Sequence, residues 1–311
     1  MKRKIRAAVI GAGAIAVRHV QTMLSNDRTE LTAIADINLQ KAKALAEKRA
    51  AVYADYKEMI KQERPEVVVI TLPHYLHKEA ALFSAAHNCH VLLEKPMAMN
   101  AAESREIIRA ADHSGIVLAV GHMQHYYPAI AEAKRMVASG KLGRLVMVND
   151  KRYGNYFREE RPDWFLQREK SGGGVVINLG SHSIDKVHWI TGRQIVKVRA
   201  VLSYYGTRGD VEGSGCLFML TEDDVPITSS ICSYGGKPLQ ETELLFTKGK
   251  LKVCGSDALW ISEGGDYKAV ALERGEDAFA RQWKAMIEAI EHGTELSNSG
   301  LYSAGISAVV D

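Results

Sequence analysis

Between residues 5 and 120, unbroken apolar runs alternate with stretches in which apolar residues recur every three or four positions. The runs at 5–10, 31–35, 52–53, 67–71, 90–93 and 116–120 predict strands buried on both faces, since such a strand has no polar side to show. Between them Ala16, Val20, Met23 and Leu24 keep helical spacing, as do Leu39, Ala42, Leu45 and Ala46. Further helices are predicted just after residue 53 and over 75–87, the latter following a break at Pro73. Asn38 is placed to cap the second helix. Asn100 with Glu103 forms a capping-box pattern for a later one, which Gly115 ends. Strands separated by helices of this length predict a parallel, doubly wound sheet.

Past residue 122 the rhythm changes. A helix is predicted over 128–139, with Pro128 at its first position and Gly140 beyond its end, and another over 175–190, closed by Gly192. From 195 to 272 the pattern is mostly that of strands, with a turn at Lys248-Gly249-Lys250. Phe279, Trp283, Met286, Ile287 and Ile290 then mark an amphipathic helix. Many strands with few helices suit a largely antiparallel sheet. The expected fold class is therefore α/β, with a doubly wound parallel sheet over 1–122 and an α+β domain with an open sheet over 123–311. Ser299-Gly300 begins a last helix that reaches Asp311 without a glycine or basic last turn, as an incomplete helix would.

Composition narrows the class. With 25% charged and 46% hydrophobic residues, the chain reads as a soluble globular protein, and 311 residues suit two domains. A formal net charge of +3 supplies no basic field for nucleic acid. Cys89, Cys216, Cys232 and Cys254 form no Cys-x-x-Cys pair and no cluster with histidine. That excludes a zinc site and a disulfide framework, and leaves free thiols in a reducing cytoplasm. No stretch approaches the ~18 apolar residues of a membrane span. The basic start Met1-Lys2-Arg3-Lys4, followed by the small apolar run 7–17, has the outline of a secretion leader. The spacing of its glycines, the amphipathic helix that follows and Asp36 assign it instead to the first strand and turn.

That turn is the first candidate for chemistry. In Gly11-Ala12-Gly13-Ala14-Ile15-Ala16, Gly11 permits a tight turn, Gly13 admits a pyrophosphate close to the backbone, and Ala16 allows helix and strand to pack. The next helix turns its first amides, over Gly13, Ala14 and Ile15, toward the phosphates. Asp36, at the end of the second strand, suits the adenosine ribose hydroxyls and repels a 2′-phosphate. No arginine follows it, so NAD is expected over NADP.

Three more groups lie at strand ends or on one helix. Thr71, Leu72, Pro73, His74 and His77 follow the fourth strand, where ligands of open α/β sheets bind, so a histidine there either faces the cofactor or lies on the surface. Glu94-Lys95-Pro96 follows the run Val91-Leu92-Leu93, which brings an ammonium group to the same edge, and the proline stiffens the exit. Asn178, His182 and Asp185 fall at i, i+4 and i+7 of the predicted 175–190 helix, a polar stripe beside the apolar Val176, Leu179, Val187 and Ile190. The stripe is either the wall of a site or a solvated face. Imidazole is the side chain suited to exchange an alcohol proton near neutral pH.

Together, Gly-x-Gly-x-x-Ala, Thr-x-Pro-His-x-x-His, Glu94-Lys95-Pro96 and the Gly172-Gly173-Gly174…Gly180-x-His182-x-x-Asp185 segment resemble the Gfo/Idh/MocA family of oxidoreductases over essentially the whole chain. The resemblance implies a Rossmann domain, a second domain whose open sheet builds a homodimer or homotetramer, and a catalytic cleft between them. It implies sugar or polyol substrates, with hydride passing between a nicotinamide and a secondary alcohol. It implies Lys95 as the active-site lysine and His182 as general acid/base. Asn178 stands where many members have aspartate, and Gln124 or His125 where many have arginine. Gln124, Asp185, Tyr156 and Trp164 are candidates for the substrate side, the two aromatics as sugar-stacking rings or as packing. An NAD-dependent glycosidase and a non-catalytic NAD-binding regulator share this pattern and remain open.

Overall fold

A computed structural model describes residues 3–273 and 275–311. Met1 and Lys2, the beginning of the basic start weighed above as a leader, lie outside the described residues. The chain packs as two compact units, Met1–Gly121 with Glu276–Ala304, and His122–Gly275 with Gly305–Asp311.

The first unit begins with β1 (Ile5–Ile10), α1 (Ala14–Leu24), β2 (Thr29–Ala35), α2 (Leu39–Ala46), β3 (Ala51–Tyr53) and α3 (Tyr56–Glu63). It continues with β4 (Val67–Ile70), α4 (His77–Ala86), β5 (His90–Leu93), α5 (Ala101–Ser114) and β6 (Leu118–Val120). The six strands run parallel in the order β3-β2-β1-β4-β5-β6, so the order reverses beside β1. Every residue of β4 is buried, as a strand covered on both faces requires. Asn38 caps α2 by accepting from the Gln40 and Lys41 amides. Asn100 caps α5 through the Glu103 amide at 2.9 Å, while the Glu103 carboxylate accepts from Met99 N–H, one residue before the donor a capping box uses.

The second unit contains α6 (Pro128–Ala138), β7 (Leu145–Asn155), α7 (Arg168–Ser171), α8 (Ser181–Thr191) and seven further strands. These are β8 (Ile195–Ser203), β9 (Ser214–Thr221), β10 (Pro226–Cys232), β11 (Tyr234–Phe246), β12 (Gly249–Cys254), β13 (Ala258–Ser262) and β14 (Lys268–Ala269). The eight-stranded sheet is ordered β14-β13-β12-β11-β7-β10-β9-β8, antiparallel except where β10 meets β7. One face buries Val148, Leu217, Met219, Ile227, Leu244 and Leu251. Helices α6 and α8 pack on each other, α8 lies against β7, and α6 against β12 and β13.

Two helices complete the chain, α9 (Ala278–His292) and α10 (Gly300–Val310). The sequence reading placed all of 123–311 in the second domain, yet Glu276–Ala304 packs with the first unit. The reason is the partner of the α9 stripe. Trp283, Met286 and Ile287 join Ile5, Val9, Val20 and Met23 in one core, and Trp283 Nε1 donates to Thr29 Oγ1 at 2.8 Å. Asn298 then pairs with Val120 through its backbone carbonyl and its side-chain amide, covering the exposed edge of β6.

Candidate functional site

Gly11 leaves β1 with φ +97°, and its amide reaches Ala35 O at 2.7 Å. A Cβ there would stand 2.8 Å from the Thr71 carbonyl oxygen, so the turn accepts only glycine. The Thr71 hydroxyl closes the turn by bridging the Ile10 and Gly11 carbonyls at 3.1 and 3.0 Å. Gly13 differs. A Cβ built there meets nothing within 4 Å, so the space beside its backbone is open. Ala14, Ile15 and Ala16 start α1 with no side-chain cap and no acidic residue, which leaves amide donors for an anion.

Asp36 faces this turn. Its Oδ2 accepts from Ala12 N–H at 2.6 Å and its Oδ1 from Asn38 N–H at 2.7 Å. With Asn38 capping α2, Asp36 is left to brace the glycine turn, and each oxygen keeps a lone pair for a ribose hydroxyl. The open side of Gly13, the uncapped start of α1 and the carboxylate at Asp36 fit a dinucleotide.

Lys95 lies two residues past β5, is followed by a cis Lys95–Pro96 bond and is half-buried. Its neighbour Glu94 is held from two sides. Glu94 Oε1 lies 2.8 Å from His19 Nε2, on α1, and Oε2 accepts from Lys95 N–H at 3.2 Å. Burial alone would raise the Glu94 carboxyl, but the His19 hydrogen bond and charge, with the Lys95 ammonium, hold it below the usual carboxylate range. A Cβ at Gly121, just past β6, would meet Glu94 Oε2 at 2.9 Å, so glycine is required for the carboxylate to lie there. Neither His19 nor Gly121 stood out in the sequence, because their partner is remote along the chain.

The other strand-end residues separate. Leu72 and Pro73 are half-buried, and His74 is buried. His77 is 1% exposed, with Nδ1 2.9 Å from Pro96 O and Nε2 2.8 Å from Leu72 O. Both ring nitrogens face backbone carbonyl oxygens, so His77 ties the β4 exit to the lysine turn. Burial lowers its pKa against the opposing pull of the two carbonyls.

In the second unit Gly174, the last of the three glycines, serves a close approach. A Cβ at Gly174 would stand 2.1 Å from Glu212 O, and the Glu212 carboxylate accepts from the amides of Gly174 at 2.8 Å and Val176 at 2.9 Å. Glu212, which no motif marked, thus caps the segment leading to α8. That segment, Val176–Gly180, is a π-helical turn. The extra residue in this turn breaks the predicted i, i+4, i+7 stripe, and its members go to different neighbours. Asn178 Nδ2 donates to Tyr156 Oη at 3.3 Å. His182 Nδ1 lies 3.0 Å from Gln124 Nε2. Asp185, fully buried, has His125 Nε2 at 2.7 Å and His122 Nδ1 at 3.5 Å.

Two of the substrate candidates, Asp185 and Tyr156, are buried among protein partners. Burial opposes ionisation of Asp185, but the two imidazoles more than offset it, so its carboxyl stays well below the usual range and anchors His122 and His125. Tyr156 is fully buried, its ring under the Arg161 guanidinium at 3.9 Å and its hydroxyl on Phe165 O, and burial pushes its pKa up to about 12. It has no open face for a sugar. Trp164 is half-buried and stacks on Phe165 with centroids 3.7 Å apart. Gln124 is buried and takes a hydrogen bond from Arg152 Nη2 at 3.2 Å. Arg152 escaped notice in the sequence, though a charged residue alternating inward with Val148 and Asp150 on one strand is its signal. Among the described residues no three His, Cys, Asp or Glu side chains are grouped to hold a metal ion, and no helix is long and apolar enough to cross a membrane.

Comparison with known proteins places this geometry. Residues 5–122 match a family model described as an oxidoreductase family with an NAD-binding Rossmann fold, and residues 130–252 match the GFO/IDH/MocA C-terminal domain. A D-glucoside 3-dehydrogenase of Escherichia coli (strain K12) is 32% identical over 62% of this chain and 56% of its own length. A 2,7-anhydro-N-acetylneuraminate hydratase of Mediterraneibacter gnavus is 24% identical over 95% of this chain and 78% of its length. The chain spans 50% to 56% of the length of three of the curated relatives it matches. The crystal structure of an aldose-aldose oxidoreductase from Caulobacter crescentus, complexed with glycerol, superposes with a TM-score of 0.90, covering 99% of this chain and 96% of that one. At 22% identity it shows the shared fold.

Proposed function

Because the chain belongs to the Gfo/Idh/MocA family of oxidoreductases, we propose that it is a nicotinamide-dependent dehydrogenase acting on a secondary alcohol of a sugar, a cyclitol or a derivative of one. The observation that carries this reading is one of placement. The glycine turn after β1, Asp36 after β2 and Lys95 after β5 all leave the carboxyl edge of the same parallel sheet, beside its reversal of strand order.

The residues divide the work. The amides from Gly13 to Ile15 hold a pyrophosphate, and Asp36 binds the ribose hydroxyls, which favours NAD over NADP. NAD, when bound, supplies the hydride acceptor, and the protein supplies alignment and charge. Lys95 is assigned the charge stabilisation of a developing alkoxide, and His182 the general acid/base role at the substrate oxygen. The free thiols fit work in a reducing cytoplasm. The outward face of the second sheet, with Val201 77% and Phe218 48% exposed, is assigned to a second copy of the chain.

The test is a panel of polyols, aldoses and nucleotide sugars followed by NADH absorbance with NAD and NADP. Lys95→Ala and His182→Ala are expected to lower turnover by about 10²–10⁴-fold while NAD affinity changes little. Wild-type turnover in both variants would overturn the assignment. A relative matched over 95% of this chain is named a hydratase, so a second reading has no net oxidation. Stoichiometric NADH accumulation with a free sugar or cyclitol supports the dehydrogenase. Product formation without NADH supports the alternative.

A further inference from the structure

His182 lies in the first turn of α8, and the side-chain amide of Gln124 meets its ring. Gln124 Nε2 is 3.0 Å from His182 Nδ1 and 3.0 Å from the His182 carbonyl oxygen, so both amide hydrogens have acceptors. At the other end, Gln124 Oε1 accepts from Arg152 Nη2 at 3.2 Å. Reversing the amide would set Oε1 against the His182 carbonyl, and Nε2 against a guanidinium that only donates. Two contacts therefore decide which end of Gln124 faces the imidazole. Gln124 is 4% and Arg152 6% exposed, so the arrangement is fixed by protein groups and not by exchanging water. A donor at Nδ1 demands a lone pair there, and a neutral imidazole with its lone pair on Nδ1 carries its proton on Nε2.

We propose that Arg152 and Gln124 are positioning residues that hold His182 as the neutral Nε2–H tautomer, so that His182 meets the substrate oxygen as a hydrogen-bond donor. The proposal rests on the assignment of His182 to that oxygen, and it differs from the general-base role that the family resemblance implies. A neutral imidazole in this state polarises a carbonyl and stabilises a developing alkoxide without taking the proton. The hydroxyl proton then passes to solvent water.

The experiment is a long-range proton–nitrogen spectrum of ¹⁵N-labelled full-length protein at neutral pH, with the His182 signals assigned by their loss in His182→Gln. The expected pattern is an unprotonated Nδ1 and a protonated Nε2. A protonated Nδ1, alone or with Nε2, would overturn the proposal. Gln124→Glu keeps the shape but replaces the donor by a group that only accepts, so the proton is expected to move to Nδ1. An unchanged tautomer in that variant also counts against the proposal. Arg152→Met frees the amide to turn and is expected to mix the tautomers, and Arg152→Lys to restore one. If Arg152→Met does not fold, the isosteric Gln124→Glu still decides. In turnover assays Gln124→Glu is expected to lower kcat about tenfold with KM little changed. The spectra do not depend on turnover, so a failed substrate panel with the expected tautomers would sink the functional reading alone.

Discussion

Gly11 and Gly13, two positions apart, answer different demands, and the difference is measurable. Gly11→Ala places a methyl group against the Thr71 carbonyl at a backbone angle alanine resists. It is expected to destabilise the fold by about 2–4 kcal/mol in urea titration. Gly13→Ala adds a methyl group to open space. It is expected to leave stability within about 0.5 kcal/mol while weakening NAD at least about tenfold by calorimetry. A Gly13→Ala protein that binds NAD normally would remove the pyrophosphate from this turn. The glycine turn was legible in the sequence because all its parts lie within a few residues. The charge partner of Glu94 was not, since His19 lies 75 residues away. The same distance hid the Gln124 contact to His182, 58 residues apart. Periodicity reports which face a residue takes, and says nothing of what meets it there.

Elements followed the apolar pattern where the period was clean. The strands of the first sheet and the caps at Asn38, Asn100 and Gly115 lie where the pattern puts them. The predicted 175–190 helix instead opens with a π-helical turn, because one extra residue per turn leaves the run of apolar positions almost unaltered. Strand β7 and helix α8 are joined by a buried ion pair, Asp150 Oδ1 to Lys186 Nζ at 2.9 Å, with Thr242 and Ser229 also donating to the carboxylate. Burial resists the charge on Asp150, but Lys186 and the hydroxyls overcome it and lower its pKa to about 2. The sign follows from linkage. A carboxyl depressed in the fold stabilises it above the ordinary carboxylate range, and that contribution is lost as pH falls toward about 2. Asp150→Asn is therefore expected to flatten the loss of stability between about pH 4 and 2, followed by circular dichroism. Lys186→Met, which leaves the buried carboxylate without its ion-pair partner, is expected to cost about 3–5 kcal/mol at neutral pH. An acid-unfolding curve of Asp150→Asn that matches wild type would contradict the assignment.

At the scale of the whole molecule, the outward face of the second sheet exposes apolar side chains such as Val201 and Phe218. Cys216 and Phe218 alternate with the buried Leu217 and Met219 on β9, and Val201 pairs with Cys216 across the ladder. Assigned to a second copy of the chain, this face makes Phe218→Glu a sharp test. The substitution is expected to shift light-scattering mass from oligomer to monomer without unfolding, and an unchanged mass would exclude the face. The two-domain plan was legible from the change of period near residue 122, but the return of α9 to the first unit was not, because the partner of an apolar stripe is not written in its spacing. That return has a consequence for how the chain is made. The ribosome delivers β1 to β6 before Trp283, Met286 and Ile287, so the nascent first unit waits with part of one core incomplete while the whole of 122–275 is synthesised. At usual elongation rates the wait is on the order of ten seconds or more. Until then the glycine turn belongs to a core that is still missing a wall.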